Sequence, residues 1–175
     1  MSKIYVISGG PCTGKTSVID GLRKKGYFTL KEGAREVGDN DSRFKGKSIK
    51  EIGAEEFQDA IFKFQAEQIK KIPKREKIAF LDRALPDTIT YARLRSKGFS
   101  REKIEYAKKF KYDGVFVMDF LKTYRKDELR HENKDEQKKI HEEIIKTYKE
   151  FGYDIIIVPF MSVEKRVDFI LSKIK

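Results

Sequence analysis

Short apolar runs alternate along the chain with longer stretches whose apolar residues recur at helical spacing. Lys3 to Ser8 (KIYVIS) is a β-branched run that ends at glycines, and predicts a strand. Ser17 to Lys25 reads as helix, with Gly26 at the C-terminal cap. Tyr27 to Lys31 predicts a second strand. Gly33, Gly38, Gly46 and Gly53 then punctuate a segment poor in apolar groups, so 38–53 reads as mobile. Within it, Ser48-Ile-Lys-Glu51 has capping-box spacing and could open a helix. Ala54 to Ile72 is a predicted helix with Phe57, Ile61, Phe64 and Gln68 on one face, stopped by Pro73.

Lys77 to Leu81 predicts the third strand and Gly114 to Met118 the fourth. Between them lie a helix from Pro86 to Lys97, ended by Gly98, and another capped by Ser100 that runs to Lys111. A charged stretch from Lys122 to Asp135 precedes a long helix that reaches Phe151. Asp154 to Val158 is the fifth strand, and Ser162 to Ile174 the last helix. Five apolar strands alternating with helices predict an α/β domain: one parallel sheet covered by helices on both faces, spanning 1–175.

Composition adds little to that fold but narrows the partners. The 39 basic and 28 acidic residues leave a net charge of +11. Such a balance suits a nucleotide, a nucleic acid or an anionic membrane. Two Asn, four Gln and one Cys amid dense Lys and Glu also match a thermophile surface built on ion-pair networks. The densest cluster, Lys70, Lys71, Lys74, Arg75 and Lys77, has none of the interleaved aromatics a single-strand binder would show. A single cysteine, Cys12, excludes an internal disulfide. The chain has no signal-peptide pattern and no apolar run able to span a bilayer, so a cytoplasmic protein is expected.

The sharpest chemical signal is Gly9-Gly10-Pro11-Cys12-Thr13-Gly14-Lys15-Thr16, with Ser17 following. It matches the phosphate-binding loop G-x-x-x-x-G-K-[ST], and sits between a predicted strand and a predicted helix. Its glycines allow a tight turn whose N–H groups face phosphate oxygens. Lys15 supplies charge to the β and γ phosphates of a nucleoside triphosphate, and the Thr16 hydroxyl is placed to ligate Mg²⁺. Cys12 within it reads as a tolerated small side chain. Asn133-Lys134-Asp135 resembles a guanine-reading element, but its Asp falls one residue early and the stretch is not at a strand end.

Carboxylates also stand at strand ends beside the loop: Glu32, followed by Arg35 and Glu36; Asp82 with Arg83; and Asp119. The phosphate loop, Glu32-x-x-Arg35-Glu36, Leu81-Asp82-Arg83-x-x-Pro86-Asp87, Tyr112-Asp113, Asp127-Glu-Leu-Arg130 and Val158-Pro159 together resemble the NadR-like AAA-domain ATPase/kinase family, over nearly the whole chain. The resemblance implies a P-loop three-layer sandwich with a lid at about 120–135, and MgATP as phosphoryl donor to a small nucleoside- or nucleotide-like acceptor. It implies Glu32 as general base, Asp82 holding Mg²⁺ through water, Arg83 beside it, and Arg125 and Arg130 as lid arginines on the moving phosphoryl. The last two also read as part of a solvated charge run. Pro159 would border adenine. Arg35, Gln58 and Gln65 would face the acceptor, whereas Phe57, Ile61 and Phe64 read as core. His131 and His141 are too isolated for a metal site. Two rivals remain: a polynucleotide 5′-kinase, which the charge favours, and a nucleotide-dependent switch on anionic lipid or protein.

Overall fold

The computed structural model describes residues 2–47, 49–120 and 134–174. Five strands form one parallel sheet in the order β2-β3-β1-β4-β5: β1 (Lys3–Ser8), β2 (Phe28–Leu30), β3 (Ile78–Asp82), β4 (Gly114–Met118) and β5 (Ile155–Val158). The chain winds from the central β1 to one edge and then returns to build the other. This puts a crevice at the C-terminal end of β1, between β3 and β4, where open parallel sheets bind ligands.

Helices cover both faces because each strand is apolar on both sides. Tyr5, Ile7, Phe80, Phe116 and Met118 face α1 (Lys15–Lys24) and α8 (Val163–Lys173), through Val18, Ile19, Leu22, Val167 and Ile170. On the other face, Val6, Leu81, Val115 and Val117 pack with Ile140, Ile144 and Tyr148 of α7 (Lys134–Glu150). Also on this side, α4 (Ala54–Lys70), α5 (Leu85–Arg95) and α6 (Arg101–Ala107) share Phe62, Ala66, Leu85, Ile89 and Ala107. Ser100 and Ser162 cap α6 and α8 with their hydroxyls.

The glycine-punctuated segment contains α2 (Gly33–Asn40), which the sequence pattern does not predict, and the short α3 (Ile49–Ile52), which falls where the Ser48–Glu51 spacing could open a helix. Phe44 is buried edge-on against Phe57, ring centroids 5.5 Å apart, in a cluster with Val37 and Ile61. The expected core role of Phe57, Ile61 and Phe64 holds, and Phe44 is the partner that the glycines obscured. Among the described residues no helix is long and apolar enough to cross a membrane.

Candidate active site

The loop after β1 owes its path to two glycines and one strained residue. A Cβ on Gly9 would lie 2.9 Å from the Met118 carbonyl oxygen, and one on Gly10 would lie 3.0 Å from the His141 Cβ. Cys12 takes φ 58°, a left-handed conformation that costs a non-glycine residue about 1–3 kcal/mol. Gly14, at φ 84°, ends the loop as the N-cap of α1. No side chain caps that helix and no acidic residue occupies its first turn, so its N–H groups and dipole are left for an anion. Thr16 and Ser17 stand exposed there, with Pro11 and Thr13 buried behind them.

Lys15 is nearly buried, and its Nζ donates to the Gly10 carbonyl (2.6 Å) and Thr13 Oγ1 (3.3 Å). Burial, followed by the like charge of Arg83, pulls its pKa down to about 7 against the opposing pull of Asp82, Glu32 and Asp87. Asp82 closes β3 in register with Ile7. Its Oδ1 is buried with no hydrogen-bond partner among the described residues. Burial pushes this carboxyl up to about 6, Lys15 opposing and Glu32 reinforcing.

Arg83 follows at φ 68°, a second strained residue at the same place. Its guanidinium donates to Glu32 Oε1 (3.0 Å), the Gly9 carbonyl (3.1 Å) and Asp87 Oδ1 (3.4 Å). Glu32 precedes α2, and its other oxygen pairs with the exposed Arg35 at 3.2 Å. Burial works to raise the Glu32 carboxyl, but Arg83, Lys15 and Arg35 together hold it below the ordinary range. Asp87 anchors the cluster from beneath. It accepts from Ser8 Oγ (2.5 Å), Tyr148 Oη (2.5 Å) and the Ala84 N–H (3.0 Å).

Of the expected acceptor residues, Gln65 is buried and accepts from Thr88 Oγ1 (2.7 Å), while Gln58 is 6% exposed and makes no side-chain hydrogen bond among the described residues. Pro159 is exposed at the end of β5. The side chain of Asp119 turns back to its neighbour's N–H at Phe120 (2.8 Å). Arg125, Arg130 and His131 lie outside the described residues.

Sequence reading missed three contributors. His141 Nδ1 accepts the Gly10 N–H (3.1 Å), and burial lowers the pKa of its ring, favouring the neutral form that can accept. Gln137 reaches Cys12 Sγ at 3.9 Å. Arg166, 2% exposed, donates to the Thr13 carbonyl at 2.7 Å. A signal existed for all three. Gln137 and His141 share a helical stripe with Ile144 and Tyr148, and Arg166 shares one with Val163 and Ile170. A polar residue within an apolar stripe is buried against something polar.

No curated protein matches this chain in sequence. Solved structures do match in fold. The NadR protein crystallised with NR gives a TM-score of 0.69 at 21% identity, over 98% of this chain and 51% of that one, so the chain spans about half its length. Deoxyadenosine kinase from M. mycoides with bound dATP gives 0.66 at 15% identity, covering 98% of both chains. Thymidylate kinase from Candida albicans gives 0.59 at 15%, over 98% of this chain and 90% of that one. The sheet, its helices and the loop after β1 thus form a P-loop fold like that of nucleoside and nucleotide kinases. The AAA domain family matches residues 4–166, and the chain belongs to it.

Proposed function

We propose that the protein transfers the γ-phosphoryl of MgATP to a hydroxyl or phosphate of a small nucleoside- or nucleotide-like acceptor. The observation that carries this reading is the Glu32–Arg83 pair, tied to the phosphate loop through the Gly9 carbonyl. An ionised carboxylate held beside the phosphate loop supports a role as base toward an acceptor hydroxyl.

Phosphoryl transfer asks for positioning and charge neutralisation more than covalent help. Lys15 exchanges its bonds to Gly10 and Thr13 for phosphate oxygens, which favour its charged form. Glu32 receives the acceptor proton. Its lowered pKa keeps it ionised at neutral pH, and a loose transition state needs only a weak base. Arg83 fixes that carboxylate. Arg125 and Arg130 complete the charge around the moving phosphoryl on closure. Pro159 borders the base of ATP, and Gln58, Gln65 and Arg35 meet the acceptor; the unpartnered Gln58 amide suits a base or amide edge.

The residues present suit Mg²⁺. The orphaned Asp82 Oδ1 is an oxygen awaiting a partner, and Thr16 offers a hydroxyl. No group of three His, Cys, Asp or Glu among the described residues could hold a metal alone, which fits an ion completed by phosphates and water. When bound, Mg²⁺ neutralises charge on the phosphates. The basic cluster from Lys70 to Lys77 joins α4 to the start of β3, at the end of the sheet opposite the loop. That placement favours a small acceptor over a polynucleotide. A panel of nucleosides and nucleotides incubated with γ-labelled ATP tests the reading. Label should move to one class of small acceptor, and ATP hydrolysis that no acceptor stimulates would support the switch instead.

A further inference from the structure

Three carbonyls of the phosphate loop are each held by a cation: Gly9 by Arg83, Gly10 by Lys15 and Thr13 by Arg166. The first two cations belong to the site described above. Arg166 comes from α8, on the far side of the sheet from Glu32. Its other bonds go to the Pro159 carbonyl after β5 (3.2 Å, from Nε) and the Asp119 carbonyl after β4 (3.4 Å, from Nη2). Among the described residues it has no carboxylate partner, although it is 2% exposed. Its guanidinium carbon lies 5.6 Å from the centre of the Phe160 ring, which is 39% exposed.

A buried cation satisfied by carbonyls alone adds little to stability by charge pairing. What it does is geometric. A planar fork of donors fixes three loops in one register, which a single ammonium cannot do. It also holds the Thr13 carbonyl on the α8 side of the loop, where that oxygen cannot repel a phosphate. We propose that Arg166 is a positioning residue for the nucleotide. It locks the phosphate loop to the turn after β5, so that the phosphate and base ends of ATP are recognised as one unit. This role rests on the ATP reading above.

The test compares the affinities of MgATP and Mg-tripolyphosphate for wild type, Arg166→Lys and Phe160→Ala. Locking predicts that wild type prefers ATP and that Arg166→Lys loses about 10-fold of that preference, the size of one hydrogen bond to a charged group. KM for ATP should rise while kcat and KM for the acceptor change little, a split that general loosening of the fold would not produce. Phe160→Ala, an exposed change that folding tolerates, should erode the preference in the same direction and decides the matter if Arg166→Lys does not fold. Wild type that binds neither probe removes the kinase reading and this role together. Wild type that prefers ATP, with the preference intact in the folded variants, removes only the role.

Discussion

The phosphate half of the site and the acceptor half are built on different principles. On the phosphate side, the carbonyls of Gly9, Gly10 and Thr13 and the N–H of Gly10 are all bonded, by groups drawn from the turn after β3 and from α1, α7 and α8. On the proposed acceptor side, the Gln58 amide makes no hydrogen bond among the described residues, and where the halves meet Asp82 Oδ1, the proposed Mg²⁺ holder, is buried without one. The first half has its loop backbone held in place before any ligand arrives, the arrangement that preorganised recognition of phosphate would need. The second, as proposed, leaves polar groups open to a ligand, and a site of that kind rejects molecules lacking the matching group.

The largest break in this comparison should come from Glu32, where the two halves meet. Glu32→Gln keeps the size and one acceptor for Arg83 but removes the base. It is predicted to lower kcat by about 10²–10⁴ while leaving ATP affinity within a few-fold. Steady-state kinetics with a titration of ATP binding checks both parts, and near-normal turnover would remove Glu32 as the base.

Asp82→Asn should sharpen the comparison by separating function from stability. Burial pushes the folded-state pKa of Asp82 up to about 6, above the ordinary carboxylate range, so the folded protein favours its protonated form. Its contribution to stability is full below the unfolded pKa and disappears as pH rises through 6. Asp82→Asn is therefore predicted to stabilise the protein by about 1–3 kcal/mol at pH 7.5 and by much less at pH 4, while weakening Mg²⁺ dependence of nucleotide binding. Thermal melts at the two pH values give the sign. A lower Tm at pH 7.5 would mean that the carboxylate is not a strained group.

The acceptor side alone should respond to Gln58→Leu. This swap removes an amide that makes no hydrogen bond among the described residues, so the melting temperature should hold. The KM for the acceptor should rise about 10-fold, the cost of one buried hydrogen bond, with KM for ATP unchanged. Equal effects on both substrates would place Gln58 outside the acceptor pocket.

The same division explains what could be read from the sequence. Local features were legible: the five strands, the loop, and the carboxylates at strand ends, since each is set by neighbours in the chain. β3 reaches Asp82, one residue beyond its expected end, because Asp82 still pairs with Ile7 in the ladder. α1 begins at Lys15, not Ser17, because the left-handed Gly14 serves as its cap. The supports of the loop were legible only as polar residues in apolar stripes, without their partners. His141 and Arg166 act on Gly10 and Thr13 from 131 and 153 residues away, and Asp87 meets Tyr148 across 61. No pattern in the sequence marks which backbone atom a distant side chain will meet. α2 escaped notice because Gly33, Gly38 and Asn40 are poor helix formers, and its stability comes from packing on α4.

The smallest effect probes the preorganised half itself, through the proton on Lys15. In the free protein its pKa of about 7 leaves it partly neutral at physiological pH. Triphosphate oxygens favour the charged form, so the pKa must rise on binding. Below pH 7, Lys15 is charged in both states and its contribution to affinity is level. Above pH 7, binding must draw a proton from solution, and affinity should fall by a few-fold between pH 7 and 8, approaching about tenfold per unit beyond that. Calorimetry in two buffers of different ionisation enthalpy counts the proton directly. Uptake should be near zero at pH 6 and approach one proton per ATP above pH 8. Lys15→Arg, which cannot lose its charge, should show none of this uptake at either pH. Wild type that takes up no proton at pH 8.5 would mean that Lys15 is already fully charged in the empty loop. The phosphate half would then hold a standing cation whose charge the phosphates meet and do not create.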